Sequence, residues 1–339
     1  MRARLDATPL RPPRRVVATL ALLLGACAAA CGSAVAASAG DAGANLPVPP
    51  PALERLLRTE PFEIRGREWV AGWVSPVYRV DAHFPSLDRT LAIKWKAAAS
   101  GLERRNNTPR REIAAYQIQK WFLAPEQYVV PTTIGRCLSL ELHAQLDPDV
   151  EPNLPGIRCV FGALSIWLEN VEVPDPLLEE DRFREDADYA RHLADYNLLT
   201  YLIENHDTRP ANVLVSTHPS HRRVFSIDNG VSFGESIYNV FRSHWNEIRV
   251  PALANQAIDR LRGVGEDELR ALAVVAEFRT DEGGVLREVP ASTPFDVDQG
   301  VRTEDGVLQL GLVPGEIEGV RNRLHALLAR VDAGEIPVF

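Results

Sequence analysis

The sequence predicts an α+β fold in two lobes, a strand-rich first half followed by a helical second half. Three observations predict it. From Trp69 to Lys96, β-prone runs alternate with turn residues. From Asp186 to Ile203, apolar residues recur at helical spacing. After that helix a polar run, beginning at Glu204, leads straight into the β-prone Val213-Leu214-Val215. Strands first and helices second is the pattern of an α+β architecture.

Each element can be justified in turn. Trp69 to Trp73 and Val77 to Val80 flank Ser75-Pro76 and read as a hairpin, and Leu91 to Lys96 reads as a third strand. Thr108-Pro109 opens a helix, with Thr108 at the N-cap and Pro109 at the first helical position. Ala114, Ile118, Trp121 and Phe122 give it an apolar stripe. Leu138 to His143 and Ala163 to Asn170 are two further strands. In the second half, Tyr189, Leu193, Tyr196, Leu199, Leu202 and Ile203 line one helix, and Val213 to Val215 and Val224 to Ile227 are short strands. Later helices are expected over about Ala254 to Leu261, Asp267 to Phe278 and Pro314 to Val331. The last keeps Val320, Leu324, Leu327 and Leu328 on one face.

The ends of this frame come from composition. The chain has 339 residues, 45% of them apolar and 24% charged, enough for two lobes with a sizeable core. Arg2, Arg4, Arg11, Arg14 and Arg15 precede a short apolar run, Val16 to Ala26, too short to span a bilayer. This fits a secretory signal over 1–26. Leu24-Gly25-Ala26-Cys27 resembles a bacterial lipobox, which implies a lipid on Cys27, a membrane anchor and a site facing the periplasm or cell exterior. An ordinary signal cut near Ala37 is the alternative. Residues 27–51, rich in Ala, Gly, Ser and Pro, read as a flexible tether. The strand-rich lobe then covers 52–170 and the helical lobe 171–339. The net charge of −9 excludes nucleic acid as the main partner, because a phosphate backbone needs a basic surface. Loss of 1–26 would remove five Arg and one Asp and leave the chain more acidic still. Cys137 and Cys159 either pair in an oxidising compartment or are two small buried residues.

Four pieces of sequence carry chemistry. Asp207 and Asn212 stand five apart in the polar loop, with Arg209 between them. Asp228-Asn229-Gly230 follows the second short strand. Lys94 lies in the strand Ala92-Ile93-Lys94, and Glu112 in the first turns of the helix opened by Thr108. Phosphoryl transfer from a nucleotide needs these residue types: a lysine for phosphate oxygens, a carboxylate to fix it, a base for the acceptor hydroxyl, and an Asp and an Asn for divalent metal. Taken singly, each has a bland reading. Asp207 and Asn212 suit turns, Asp-Asn-Gly suits a hairpin turn, and Glu112 could pair with nearby arginines on the surface. Lys96 shares the face of Lys94, and either could meet phosphate; the preceding Ala-Ile favours Lys94.

The joint order resembles the protein-kinase-like superfamily. His206-Asp207-Thr208-Arg209-Pro210-Ala211-Asn212 is similar to its catalytic loop, Asp228-Asn229-Gly230 to its metal-binding Asp-Phe-Gly with Asn for Phe, and Ala92-Ile93-Lys94 to its third-strand lysine motif. Ala163 to Asn170 is similar to the strand before its interlobe hinge. Gly66 and Gly72 stand apart, so the loop over the nucleotide is only loosely matched, and no Ala-Pro-Glu follows Asp228. These departures resemble the atypical branch of secreted Golgi-type kinases and phosphatidylinositol 3-/4-kinase-like proteins.

The resemblance implies a bilobal kinase-like fold and ATP with Mg²⁺ or Mn²⁺. It implies Lys94, Glu112 and Gly72 at the nucleotide, Asp207 as base, Arg209 on the transferring group, and Asn212 and Asp228 at the metal. The implied activity is phosphotransfer to a hydroxyl of a protein, lipid or sugar. A catalytically inactive pseudokinase scaffold and a nucleotidyl transferase are the alternatives on the same fold.

Overall fold

A computed structural model describes residues 45–71, 76–104, 106–218, 222–234 and 245–339. Gly72, the signal segment 1–26 and most of the expected tether lie outside the described residues. Helix α1 (Pro50–Thr59) leads into strands β1 (Glu63–Ala71), β2 (Val77–Phe84) and β3 (Arg89–Ala97), then α2 (Pro109–Gln119), β4 (Thr133–Ser139), α3 (Leu140–His143) and β5 (Cys159–Ile166). These five strands form one antiparallel sheet in the order β1-β2-β3-β5-β4. Leu53 and Leu57 of α1 pack with Phe84, Ile93 and Trp95 in its core.

The second half holds β6 (Val171–Glu172), α4 (Glu180–Glu185), α5 (Ala187–Leu202), β7 (Val213–Ser216), β8 (Val224–Ser226), α6 (Asn255–Leu261) and α7 (Glu266–Ala271). It continues through β9 (Ala276–Thr280), β10 (Leu286–Val289), β11 (Val301–Glu304) and β12 (Val307–Leu310) to α8 (Pro314–Asp332). Leu193 and Tyr196 of α5 share a core with Val320, Leu324 and Leu327 of α8. β7 pairs antiparallel with β8, Val213 opposite Ser226. No described helix is long and apolar enough to cross a membrane.

The α+β architecture, the third strand, the helix after Thr108 and the helix after Asp186 match the expectation; the opening hairpin is present as β1 paired with β2, but its first strand begins at Glu63, and Trp73 and Ser75 lie outside the described residues. The Asp186 carboxylate accepts from Tyr189 N at 3.0 Å and starts α5. Thr108 is the N-cap of α2 without capping by its side chain; its hydroxyl donates to Arg104 O instead.

Four expectations need correction. The strand placed over Leu138–His143 ends at Ser139, because the Ser139 hydroxyl accepts from Leu142 N at 3.2 Å and caps a helical turn. The next strand runs Cys159–Ile166 rather than into Asn170. The tether does not reach Pro51. Asn45 is already buried, its side chain donating to Glu169 O at 3.0 Å and Asn170 O at 3.1 Å, and α1 begins at Pro50.

The largest correction concerns the stretch from Asp267 to Leu310. The expected helix stops at Ala271, and β9 to β12 form a second antiparallel sheet in the order β10-β9-β12-β11. This sheet packs on the strand-rich lobe, where Phe278 meets Phe161 edge-on with ring centroids 5.0 Å apart. Gly135 of β4 permits that approach, since a Cβ there would fall 2.7 Å from Phe161 and 2.9 Å from Phe278. The second half is therefore not a purely helical lobe. Cys137 and Cys159 lie in the same cluster and form a disulfide.

Candidate functional site

A cavity of about 310 Å³ opens beside β3, β5, β7 and β8. Val130, Ile166, Leu168, Val171, Leu214 and Ile227 supply apolar walls, and Lys94, Glu112, Thr133, Ser165, Asp228 and Asn229 supply polar groups. An apolar slot with a few convergent polar groups suits a small ligand. The segment after β5 forms one edge. Trp167 N donates to Ala92 O at 3.0 Å, and Glu169 N to Asn45 O at 3.2 Å. Leu168 lies between them with its backbone N–H and C=O unused within the described residues. A flat ring in the slot could pair with both groups.

The charged end is built from three elements. Lys96 Nζ donates to Glu112 Oε1 at 2.9 Å and to Asp228 Oδ1 at 2.7 Å. β3 supplies the lysine, the first turn of α2 the glutamate, and the turn after β8 the aspartate. Asp228 sits at φ 57°, a left-handed conformation that Asp tolerates better than most residues and that strained functional turns use. Burial would raise the Asp228 pKa. Lys96 first, then Lys94, outweighs burial and holds the carboxyl well below its usual range. Burial would likewise lower the Lys96 pKa, and Glu112 and Asp228 together push it above its usual value.

The partner expected for Lys94 is thus taken by Lys96. Strand geometry points both side chains to one face, two residues apart. Lys96 is the one directed at Glu112, while Lys94 lines the cavity and adds its charge to the field at Asp228.

The loop after α5 joins this end through backbone contacts. Ile227 N donates to Asn212 O at 3.0 Å, and His206 N to Val231 O at 3.2 Å. Within the loop, Asn212 Nδ2 donates to Asp207 O at 2.8 Å, and Arg209 Nε lies 3.6 Å from Asp207 Oδ1 and donates to Asn212 Oδ1 at 3.3 Å. Asp207 and Asn212 are buried, while Arg209 is partly exposed. The structure therefore brings Lys94, Glu112 and Asp228 to the cavity and keeps Asp207, Arg209 and Asn212 in one loop outside its lining, tied to it through Ile227. His206 does not line the cavity; its Nε2 lies 3.4 Å from Glu204 Oε1.

Two further residues emerge only in three dimensions. Asn229, where the resembled motif carries Phe, is buried. Its Oδ1 accepts from Asn205 Nδ2 at 3.0 Å and from Ser226 Oγ at 2.7 Å, so one amide ties the metal-motif turn to the loop. The second is Asn45, which holds the segment after β5 through Glu169 O and Asn170 O. Asn-Gly after a strand and Asn beside His-Asp are visible in the sequence, but nothing local says that they meet.

Among the described residues, no group of three or more His, Cys, Asp or Glu would hold a metal by itself. The resemblance assigns a metal to the Asp228 carboxylate and the Asn212 amide; in the fold Asp228 Oδ1 accepts from Lys96 Nζ and Asn212 Oδ1 from Arg209 Nε. A divalent cation such as Mg²⁺ at that pair would take the rest of its shell from phosphate oxygens and water, since Mg²⁺ commonly uses only one or two carboxylates.

No protein-family model matches the chain, and no curated protein matches it. Two solved structures overlap it along most of its length. One is described as hydra Fam20 with sugar; it is 14% identical, with 85% of this chain and 91% of that one covered at a TM-score of 0.48. The other is described as the Golgi casein kinase; it is 13% identical, with 83% and 74% covered at a TM-score of 0.46.

Proposed function

We propose that this chain is an ATP-dependent phosphotransferase. The observation that carries the reading is Lys96 held between Glu112 and Asp228, two carboxylates that line an apolar slot. A buried lysine between two carboxylates is suited to an exchange of partners. A nucleotide phosphate can replace Asp228 at Lys96, and a divalent cation can replace Lys96 at Asp228. Glu112 keeps its hold on the lysine throughout. The nucleobase occupies the slot against Leu168. Asp228 and Asn212 would hold Mg²⁺ or Mn²⁺, which would supply positive charge against the phosphates. Asp207 accepts the proton of the acceptor hydroxyl as its oxygen bonds to the terminal phosphorus and the nucleoside diphosphate leaves. Arg209, beside Asp207, stabilises charge on the transferring group.

The finer reading places this activity on the outer face of a bacterial membrane, anchored through lipid on Cys27, with a hydroxyl of a protein, lipid or sugar as acceptor. The Cys137–Cys159 disulfide supports an oxidising compartment.

The experiment is thermal unfolding of the chain with ATP and Mg²⁺ or Mn²⁺. Ligand at a hundred times its dissociation constant stabilises by about 2.7 kcal/mol. A metal-dependent shift is expected that vanishes in Asp228→Ala, while Asp207→Ala binds normally and turns over no ATP. No shift with any nucleotide would leave an inactive scaffold as the reading. Mass analysis of a modified acceptor separates phosphoryl from nucleotidyl transfer.

A further inference from the structure

The first turn of α2 is fixed at two places. On one side Glu112 holds Lys96. On the other, Arg110 and Arg111 reach across the fold to one carboxylate, Glu316, in the first turn of α8. Arg110 Nη1 donates to Glu316 Oε2 at 2.5 Å, and its Nη2 to Oε1 at 3.2 Å. Arg111 Nε donates to Oε1 at 3.0 Å. Arg110 Nη1 also donates to Gly311 O at 3.2 Å. Arg110 and Glu316 are buried. The chain also leaves room for the guanidinium, since a Cβ on Gly300 would collide with Arg110 Nε.

Seven residues further along α8, Arg323 meets the other half of the site. Its Nη1 donates to Glu204 Oε2 at 2.6 Å and its Nε to Leu202 O at 2.9 Å. Glu204 in turn lies against His206, next to Asp207. His206 first, with Arg323 behind it, holds the Glu204 carboxyl below its usual range. Seven residues are two helical turns, so Glu316 and Arg323 stand on one face of α8, about 10 Å apart along its axis. Val320 between them and Leu324 beside them are buried and fix that face.

We propose that α8 is a positioning brace, in which Glu316 sets the α2 turn that presents Glu112 to Lys96 and Arg323 sets the loop that carries Asp207. Resting on the phosphotransferase reading above, this assigns Arg110, Arg111, Glu316 and Arg323 as positioning residues. The lysine–glutamate pair is then held in register by a helix of the chain itself. A plain structural ion pair would add little, because a buried pair often does no better than apolar residues of the same size. Two such ties on one helix face, one at the α2 turn that carries Glu112 and one at the loop that carries Asp207, are what register requires.

The test pairs nucleotide-free hydrogen exchange with ADP release from Mg²⁺- or Mn²⁺-ATP. Glu316→Gln is expected to speed exchange at the start of α2, 109–113, and Arg323→Met at 203–207, with α5 and β9 to β12 unchanged in both. In turnover, Glu316→Gln raises the KM for ATP about tenfold, whereas Arg323→Met leaves KM within about twofold and lowers kcat by ten- to a hundredfold, the scale of a small misplacement. Arg323→Lys recovers part of kcat. If Glu316→Gln does not fold, Arg111→Ala gives the same pattern at smaller amplitude. Exchange that rises throughout the chain, or that stays unchanged at both places, overturns the brace, as does an identical effect of the two variants on KM and kcat. Wild-type protein that neither binds nor turns over ATP overturns the phosphotransferase reading instead, and the exchange results alone then decide the brace.

Discussion

Lys96 carries more of the site than any other side chain, and its removal makes a sharp prediction. Lys96→Met leaves the buried Glu112 and Asp228 carboxylates without the lysine they share, with only the more distant Lys94 acting on Asp228, which should cost about 3–5 kcal/mol of stability at pH 7. Lys94→Met should cost far less and keep most of the stabilisation by Mg²⁺-ATP. The pH dependence follows from Asp228, whose carboxyl is held below its ordinary value in the fold. Its contribution is full above the unfolded pKa, about 3.9, and is lost as pH falls through the lower folded value. Urea titrations at pH 7 and pH 3 check this: the gap between wild type and Lys96→Met should narrow at the lower pH. A Lys94→Met variant that loses nucleotide binding while Lys96→Met keeps it would reverse the assignment. Most of the site residues were legible as residue types in order along the chain. The choice between two lysines was not. A strand repeats every two residues, so both share one face, and only the contact with Glu112 of α2 separates them.

At the scale of elements, local signals predict local structure. Asp186 announces α5, Pro109 announces α2, and alternation announces β2 and β3. β9 to β12 were missed because their stability comes from pairing across the sheet and burial on Phe161, neither of which leaves a periodic trace near Ala276. Glu277 is an example. It falls within the helix expected over Asp267 to Phe278, yet its carboxylate accepts from Ser292 N at 2.8 Å and Gln309 Nε2 at 2.9 Å inside the second sheet. Helix α5 holds a different surprise, Asp195, which is 1% exposed with no hydrogen-bond partner on either carboxylate oxygen. Burial raises its pKa to about 7, with Arg191 and Arg260 pulling the other way. A raised carboxyl pKa gives stability that is complete below the unfolded value and lost as pH rises through the folded one, between about 3.9 and 7. Asp195→Asn should remove that decline and stabilise the protein at pH 8 by up to about 4 kcal/mol. Thermal or urea unfolding from pH 4 to pH 8 measures it. A wild-type profile without the decline would mean that Asp195 is ionised in the fold and satisfied by Arg191.

For the whole molecule, the ties that close the fold join residues far apart in sequence, such as Arg110 with Glu316, and no local pattern predicts them. Cys137–Cys159 is the covalent tie, and it sits where the two antiparallel sheets meet, beside Phe161 and Phe278. The sequence allowed the pairing without deciding it, because spacing does not reveal whether two side chains face each other. β4 and β5 decide it by running antiparallel with Cys159 opposite Ser139 and Cys137 opposite Phe161. The bridge spans 22 residues. Loop-closure entropy for that length gives about 3 kcal/mol of stabilisation. Replacing both cysteines with alanine should therefore lower the unfolding free energy by about that amount, read as a shift of the urea midpoint at constant slope. The change should not stay local. Hydrogen exchange should rise in β9 and β10, which pack over the bridge, and much less in α5 and α8. If the double variant instead loosens α5 and α8 equally, the second sheet is not a separately docked layer and the molecule unfolds as one unit.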